Sequence, residues 1–280
     1  MKKNRRKYVL AGISLICLIT FSVLLLQMYV KPVEDFSMEY NGKSYNVIVE
    51  KPEVNKEKYP LVIYHHGEGF ETIEPFELRE IAKRFAKDGF LVWIPERTPW
   101  SPERTLDTLS ETEGIGKRIM DMALNDSSVD KRNINLVGFS LGSWAFLKGE
   151  GLDEKVRSIS LIGFGAPFYD TLLYDKVFSL VNNGSFDNLP GNVLIMVSRE
   201  DQIVNIAAAE TLREKIAQTG KKVDCVVYEE GDHLSMTGNN KYIYDVIRYL
   251  QGEKIDTVDH IELNNDIINK WERVWKTGYW

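Results

Sequence analysis

Gly138-Phe139-Ser140-Leu141-Gly142 is a G-x-S-x-G motif that follows the apolar run Ile134 to Val137 and leads into a helical pattern. A serine on a tight strand-to-helix turn is held in strained backbone, with its hydroxyl exposed at the sheet edge. Glycines two before and two after it let neighbouring elements close around it. The hydroxyl is a poor nucleophile until a base takes its proton, and free imidazole, titrating near 6.5, suits that task. His233 in Gly231-Asp232-His233 offers the base, and Asp201 in Arg199-Glu200-Asp201 offers a carboxylate to hold its tautomer. The adjacent Glu200 is the alternative acid. The order is Ser140, Asp201, His233 with gaps of 61 and 32 residues, the serine, acid, histidine order that a parallel α/β sheet uses. The chemistry implied is acyl transfer through a covalent serine adduct.

That chemistry also needs donors for a developing oxyanion. The run Leu61 to His65 ends in His66-Gly67-Glu68-Gly69, an H-G-x-G loop. The backbone N–H of Glu68, joined by that of Leu141, is the predicted pair of donors. Phe139 beside the nucleophile and Trp100 in the loop from Pro95 to Arg104 are the predicted substrate contacts. No metal site is predicted. His65 and His66 are neighbours on an extended chain and face opposite sides, His260 lies in an exposed tail, and Cys17 and Cys225 are the only cysteines. No cofactor is expected.

The elements that must position these residues are legible as an alternation. Residues 36–40 and 44–50 flank Asn41-Gly42, the dipeptide that best fits a tight hairpin turn. Apolar runs predict strands at 61–65, 90–94, 133–138, 157–163, 192–198 and 222–228; helical patterns lie at 73–88, 108–125, 141–149, 205–219 and 240–251. Short apolar strands separated by amphipathic helices predict an α/β fold: a mostly parallel central sheet, with an N-terminal antiparallel hairpin and helices on both faces. Residues 166–190 interrupt the alternation and are expected to form a short cap. Each candidate residue falls just past the carboxyl end of a strand, where ligands bind in such sheets.

The chain has 280 residues, 44% hydrophobic and 27% charged, enough for one sizeable core and an appendage. Residues 1–31 carry six basic and no acidic residues, which leaves 29 Lys/Arg against 41 Asp/Glu in the rest, a balance of −12. An acidic body repels phosphate backbones, so no nucleic-acid partner is expected. Residues 8–30 are uncharged and as a helix span about 35 Å, enough to cross a hydrocarbon core of about 30 Å. Five basic residues precede this segment and only Lys31 follows at once, which predicts a single-pass signal-anchor in the cell membrane with residues 1–7 inside and the remainder extracytoplasmic. A cleaved signal peptide is the rival, although Leu26 to Val30 offers no small-x-small site.

With these motifs in place, residues 36–251 resemble the α/β-hydrolase superfamily, in its dienelactone hydrolase and prolyl-oligopeptidase-like branch of serine esterases. His66-Gly67-Glu68-Gly69, Gly138 to Gly142, the stretch Arg199 to Val204 and Gly231-Asp232-His233 carry the resemblance. The family pattern sets aspartate three residues before an apolar residue such as Val204, which favours Asp201 over Glu200. Dienelactone hydrolases proper use a cysteine where this chain has Ser140, and the propeller domain of prolyl oligopeptidases has no room here. The resemblance implies a serine hydrolase acting on a small to medium carboxylic ester, with acyl transfer, peptidase activity or an anchored scaffold as alternatives. Residues 252–280 lie beyond it, and Leu263, Ile267, Trp271 and Trp275 recur at the spacing of an amphipathic helix.

Overall fold

The computed structural model describes residues 35–67, 75–97, 105–148, 152, 154–167, 171–238 and 240–262. Chain order runs β1 (Phe36–Tyr40), β2 (Lys43–Glu50), β3 (Tyr59–His65), α1 (Pro75–Lys87), β4 (Leu91–Pro95), α2 (Thr105–Asn125), β5 (Val129–Phe139), a 3-10 turn (Ser140–Ser143) and α3 (Trp144–Leu147). It continues with β6 (Ser158–Ile162), β7 (Ala166–Pro167), α4 (Thr171–Asn183), β8 (Asn192–Ser198), β9 (Val204–Asn205), α5 (Ile206–Gln218), β10 (Lys222–Tyr228), α6 (Ser235–Gly238) and α7 (Asn240–Gln251).

Eight strands form one sheet in the order β1-β2-β4-β3-β5-β6-β8-β10. The hairpin β1–β2 turns at Asn41 and Gly42, whose φ angles of 50° and 73° are those a two-residue turn between twisted strands requires. β2 meets β4 antiparallel, and every later pair is parallel. The crossover helices therefore cover both faces, and strand side chains alternate between two cores. Leu61, Ile63, Leu136, Ile159, Leu161 and Ile195 share one face with α2, α3, α4 and α5. Val62, Tyr64, Val137, Phe139, Leu194 and Met196 share the other with α1 and α7. Each fully buried side chain of this kind stabilises by about 1.5–3 kcal/mol relative to exposure, so the strand ends that carry the candidate residues are rigidly held.

Two predicted features take a different form. The segment expected as a cap is a helix, α4, whose Leu173, Val177, Leu180 and Val181 are buried in the main core, while Leu172 and Phe178 face solvent. Its apolar residues divide between two sides because a helix thirteen residues long turns more than three times, so the run of apolar types cannot all face one pocket. The short pair β7–β9, antiparallel through Ala166↔Asn205 and Pro167↔Val204, ties the entry to α4 beside the loop that carries Asp201. Second, residues 252–262 run beside the sheet. Val258 bridges Cys225 of β10 antiparallel, the Ile261 side chain is buried, and the Ile261 N–H donates to Glu210 Oε2 at 2.8 Å. His260 is exposed, as expected. Among the described residues no helix is long and apolar enough to cross a membrane. The spanning segment predicted at 8–30 and the helical tail predicted from Leu263 lie outside the described residues.

Candidate active site

Ser140 follows the last residue of β5 directly and has φ of 51°, in the left-handed region that side chains rarely adopt. The turn exists because three glycines let other backbone approach it. A Cβ at Gly138 would come within 2.5 Å of the Ser143 α-carbon, and one at Gly142 would overlap the main-chain carbonyls of His65 and His66. One at Gly67 would lie 2.9 Å from Ser140 Cβ. The Ser143 hydroxyl donates to the Gly138 carbonyl at 2.9 Å and closes the turn. Strain of this kind, typically 1–3 kcal/mol, persists only where surroundings over-determine it.

His233 and Asp201 are brought together by the ends of β10 and β8. His233 Nδ1 lies 2.6 Å from Asp201 Oδ2, and both side chains are buried. A carboxylate only accepts, so Nδ1 carries the proton and Nε2 keeps the lone pair that a general base needs. Asp201 Oδ1 accepts from the N–H groups of Ile203 at 2.9 Å and Val204 at 3.0 Å, so both oxygens are fixed. His233 Nε2 is buried and makes no hydrogen bond. Its ring lies 5.0 Å from that of Phe139, the residue before Ser140, and packs over Gly163, where a Cβ would meet the imidazole at 3.2 Å. Glu200 takes a different partner: its Oε2 accepts the Gly231 N–H at 2.9 Å and pins the loop ahead of His233. Tyr242 adds a second tie, donating to the Glu230 carbonyl at 2.9 Å.

Leu141 is the second residue of the 3-10 turn, among the first N–H groups, which have no acceptor within such a turn. Glu68 and Trp100 lie outside the described residues. Phe139 requires a correction. Its side chain is only 1% exposed, because the alternation of β5 sends it with Val137 to the core face under α1 and α7. It supports His233 and Gly67 from beneath and does not line a ligand surface.

Sequence reasoning did not single out Arg97, two residues past β4. Its guanidinium donates to the carbonyls of His66 and Gly67, the latter at 2.9 Å, and to the buried Thr112 hydroxyl of α2 at 3.0 Å. His66 Nδ1 donates to the same Gly67 carbonyl at 2.8 Å. Burial, reinforced by the Arg97 charge, lowers His66 to about 3 and keeps it neutral. The same causes hold the fully buried His65 well below the usual histidine range. Cys225 is no rival nucleophile: it is buried in β10, and burial pushes its thiol up to about 12.

Solved structures with the same architecture include an esterase from the planctomycete Thermogutta terrifontis. Its propionate-bound form is 16% identical with a TM-score of 0.59, covering 80% of this chain and 93% of that one. The butyrate-bound form gives 15%, 0.59, 79% and 92%. Esterase 2 of the same organism, phosphonylated by cyclosarin, gives 14%, 0.57, 79% and 92%. At these identities the likeness shows the fold, that of an α/β-hydrolase. No curated protein matches the chain. A family model does, over residues 46–248, which take in Ser140, Asp201 and His233 with the whole of the sheet from β3 to β10. The chain belongs to the dienelactone hydrolase family.

Proposed function

We propose that the protein is a serine esterase in which Ser140 attacks the ester carbonyl, His233 takes and returns the proton, and Asp201 holds the imidazole. The observation that carries this reading is the buried 2.6 Å contact between His233 Nδ1 and Asp201 Oδ2, with Nε2 left without a hydrogen bond and the imidazole 5.0 Å from the ring of Phe139, the residue before the strained Ser140. In the first half-reaction the Ser140 Oγ–carbonyl bond forms as its proton passes to Nε2, and collapse of the tetrahedral adduct expels the alcohol, protonated from His233. Water repeats the sequence on the acyl-enzyme. The oxyanion is held by backbone N–H groups, that of Leu141 on one side and that of Glu68 on the other.

A small to medium carboxylic ester is the substrate in this reading. Support comes from the propionate-bound and butyrate-bound forms of the T. terrifontis esterase, a protein of the same fold. The uncharged run 8–30 anchors the enzyme in the cell membrane with the catalytic domain outside, supported by the five basic residues ahead of it.

One experiment addresses both proposals. A membrane-impermeant fluorophosphonate applied to intact cells is expected to label Ser140, identified by mass spectrometry, and Ser140→Ala is expected to lose labelling and hydrolysis of p-nitrophenyl butyrate by several orders of magnitude. Undiminished hydrolysis by Ser140→Ala defeats the esterase reading. Labelling only after lysis defeats the extracytoplasmic one.

A further inference from the structure

Apart from the imidazole itself, burial does little to hold the loop that carries His233. Glu229, Glu230, Asp232 and Leu234 are exposed, so the chain between β10 and α6 gives almost no other side chain to the core. Its place is set by polar contacts, and two of these fall on one peptide. The Gly231 N–H donates to Glu200 Oε2 at 2.9 Å, and the Glu230 carbonyl accepts from the Tyr242 hydroxyl at 2.9 Å. They are the two polar ends of the bond between Glu230 and Gly231, and in a trans peptide those ends point in opposite directions. Glu200 and Tyr242 therefore grip a single plane from opposite sides.

The plane needs holding because Gly231 has φ of 110°, and a glycine leaves the peptide ahead of it free to turn at little steric cost. Another residue would be strained at that φ, and its Cβ would overlap the Tyr242 hydroxyl. From this we infer that Tyr242 is a positioning residue for the reaction: acting with Glu200, it locks the Glu230–Gly231 peptide in one orientation and so fixes the reach of the His233 imidazole to Asp201. Tyr242 brings that hydroxyl on the core itself. Its side chain is 2% exposed, its ring meets Tyr228 edge-on at 4.2 Å between centroids, and Tyr228 donates to Asp245 Oδ2 of the same helix at 2.7 Å. Glu200 adjoins Asp201, so neighbouring carboxylates on one loop take the His233 segment at two points, its main chain and its imidazole. On the far side the segment is closed by Asp232, whose carboxylate accepts the Ser235 N–H at 2.7 Å and whose carbonyl accepts the Ser235 hydroxyl at 2.8 Å. A hydrogen bond as short as 2.6 Å tolerates little displacement, and Nε2 turns with the ring. Without the phenol the plane is held from one side only; water can replace the lost donor on this solvent-facing segment but does not fix its direction.

This inference rests on the esterase reading, and its test separates the two. The unaltered enzyme is compared with Tyr242→Phe, Glu200→Ala, the double variant and Ile247→Val, after active sites are counted with a fluorophosphonate so that rates refer to folded enzyme. Ile247→Val removes one methyl from the buried face of α7 and no hydrogen bond, so it reports what loosening the helix alone does. Three quantities are measured: kcat and KM for p-nitrophenyl butyrate, Tm, and the low-field proton resonance of His233 Nδ1–H, identified by its loss in His233→Ala. Tyr242→Phe and Glu200→Ala are each expected to lower kcat by on the order of 10-fold with KM little changed, and to move the resonance upfield as the bond to Asp201 lengthens. Because both groups hold one plane, the double variant is expected to lose on the order of 10-fold as well, and not the product of the two losses. Ile247→Val is expected to lower Tm and leave kcat and the resonance as they were. Unchanged kcat and resonance in Tyr242→Phe would make it a packing residue and overturn the inference, as would a double variant whose loss is the full product. If Tyr242→Phe does not fold, Glu200→Ala, at an exposed side chain, decides alone: wild-type kcat and an unmoved resonance overturn it. Failure of the unaltered enzyme to react at Ser140 instead defeats the esterase reading, whatever Tyr242 does.

Discussion

Two adjacent carboxylates, Glu200 and Asp201, end the loop after β8, and their hydrogen bonds give them separate tasks. Asp201 is committed at both oxygens, to two main-chain amides and to His233. Glu200 is spent on the Gly231 N–H. Replacing Asp201 by Asn keeps the shape but offers an amide that no longer stabilises an imidazolium and invites the wrong tautomer. Asp201→Asn is thus expected to cut kcat by roughly 10³–10⁴-fold. Glu200→Gln retains an oxygen able to accept from Gly231, and its kcat is expected to fall by only a few-fold. Steady-state hydrolysis of a p-nitrophenyl ester by the two variants ranks them, and the reverse order would move the acid to Glu200. The motif and the chain order were enough to name Ser140, His233 and Asp201 as candidates from residue types. They could not exclude Glu200, because side-chain direction in a strand-end loop depends on partners, here the amides of Ile203, Val204 and Gly231, that are not marked in the local sequence.

At the level of elements, the sheet was legible wherever apolar residues ran together. The hairpin at Asn41-Gly42 and the cores of β3, β4, β5, β6, β8 and β10 fall where periodicity sets them. β5 starts at Val129, four residues earlier than its apolar run, because Asp130, Lys131 and Arg132 extend a strand whose end is solvated. The pair β7–β9 spans two residues per strand, too few to leave any alternation. The helix expected after Ser140 is instead a 3-10 turn and four α-helical residues, since the elbow is tightened by Gly142 against the end of β3. Arg97 was invisible for a different reason: two of its partners are main-chain carbonyls 30 and 31 residues away, which any sequence supplies. The contact of Gly142 with β3 is testable as an element-level constraint. A methyl in Gly142→Ala would strike the carbonyls of His65 and His66, which are backbone and cannot swing aside. That variant is expected to lose about 1–3 kcal/mol of unfolding free energy. Its kcat is expected to fall more than KM rises, because the displaced carbonyls end β3 and begin the segment packed against Ser140. Urea unfolding followed by fluorescence, with kinetics on the same preparation, reads both.

For the molecule as a whole, the two neutral histidines under the elbow set the response to acid. Unfolded, each titrates near 6.5, whereas folded His65 stays well below that and His66 falls to about 3. The unfolded chain therefore binds more protons as pH drops past about 6.5, and stability, full above that value, declines on the acid side. For the fully buried His65 the slope approaches 1.4 kcal/mol per pH unit, with a smaller share from the partly exposed His66. Urea midpoints at pH 7 and pH 5 are expected to show this loss, and His65→Leu, which removes a ring with no hydrogen-bond partner, is expected to flatten it. An equal decline in that variant would assign the acid sensitivity elsewhere. The strand-like run at Val258 bears on how copies of the protein meet. An open sheet stacks into fibres only if each copy offers two free edges, one to receive and one to extend. Val258 pairs with β10 at Cys225, midway along the strand, so in the eight-stranded sheet the outer side of β10 is interrupted where a second chain would have to add. Pairing of two copies through β1 is self-complementary about a twofold axis and uses up the edge it pairs, so a sheet continued through β1 closes at two molecules.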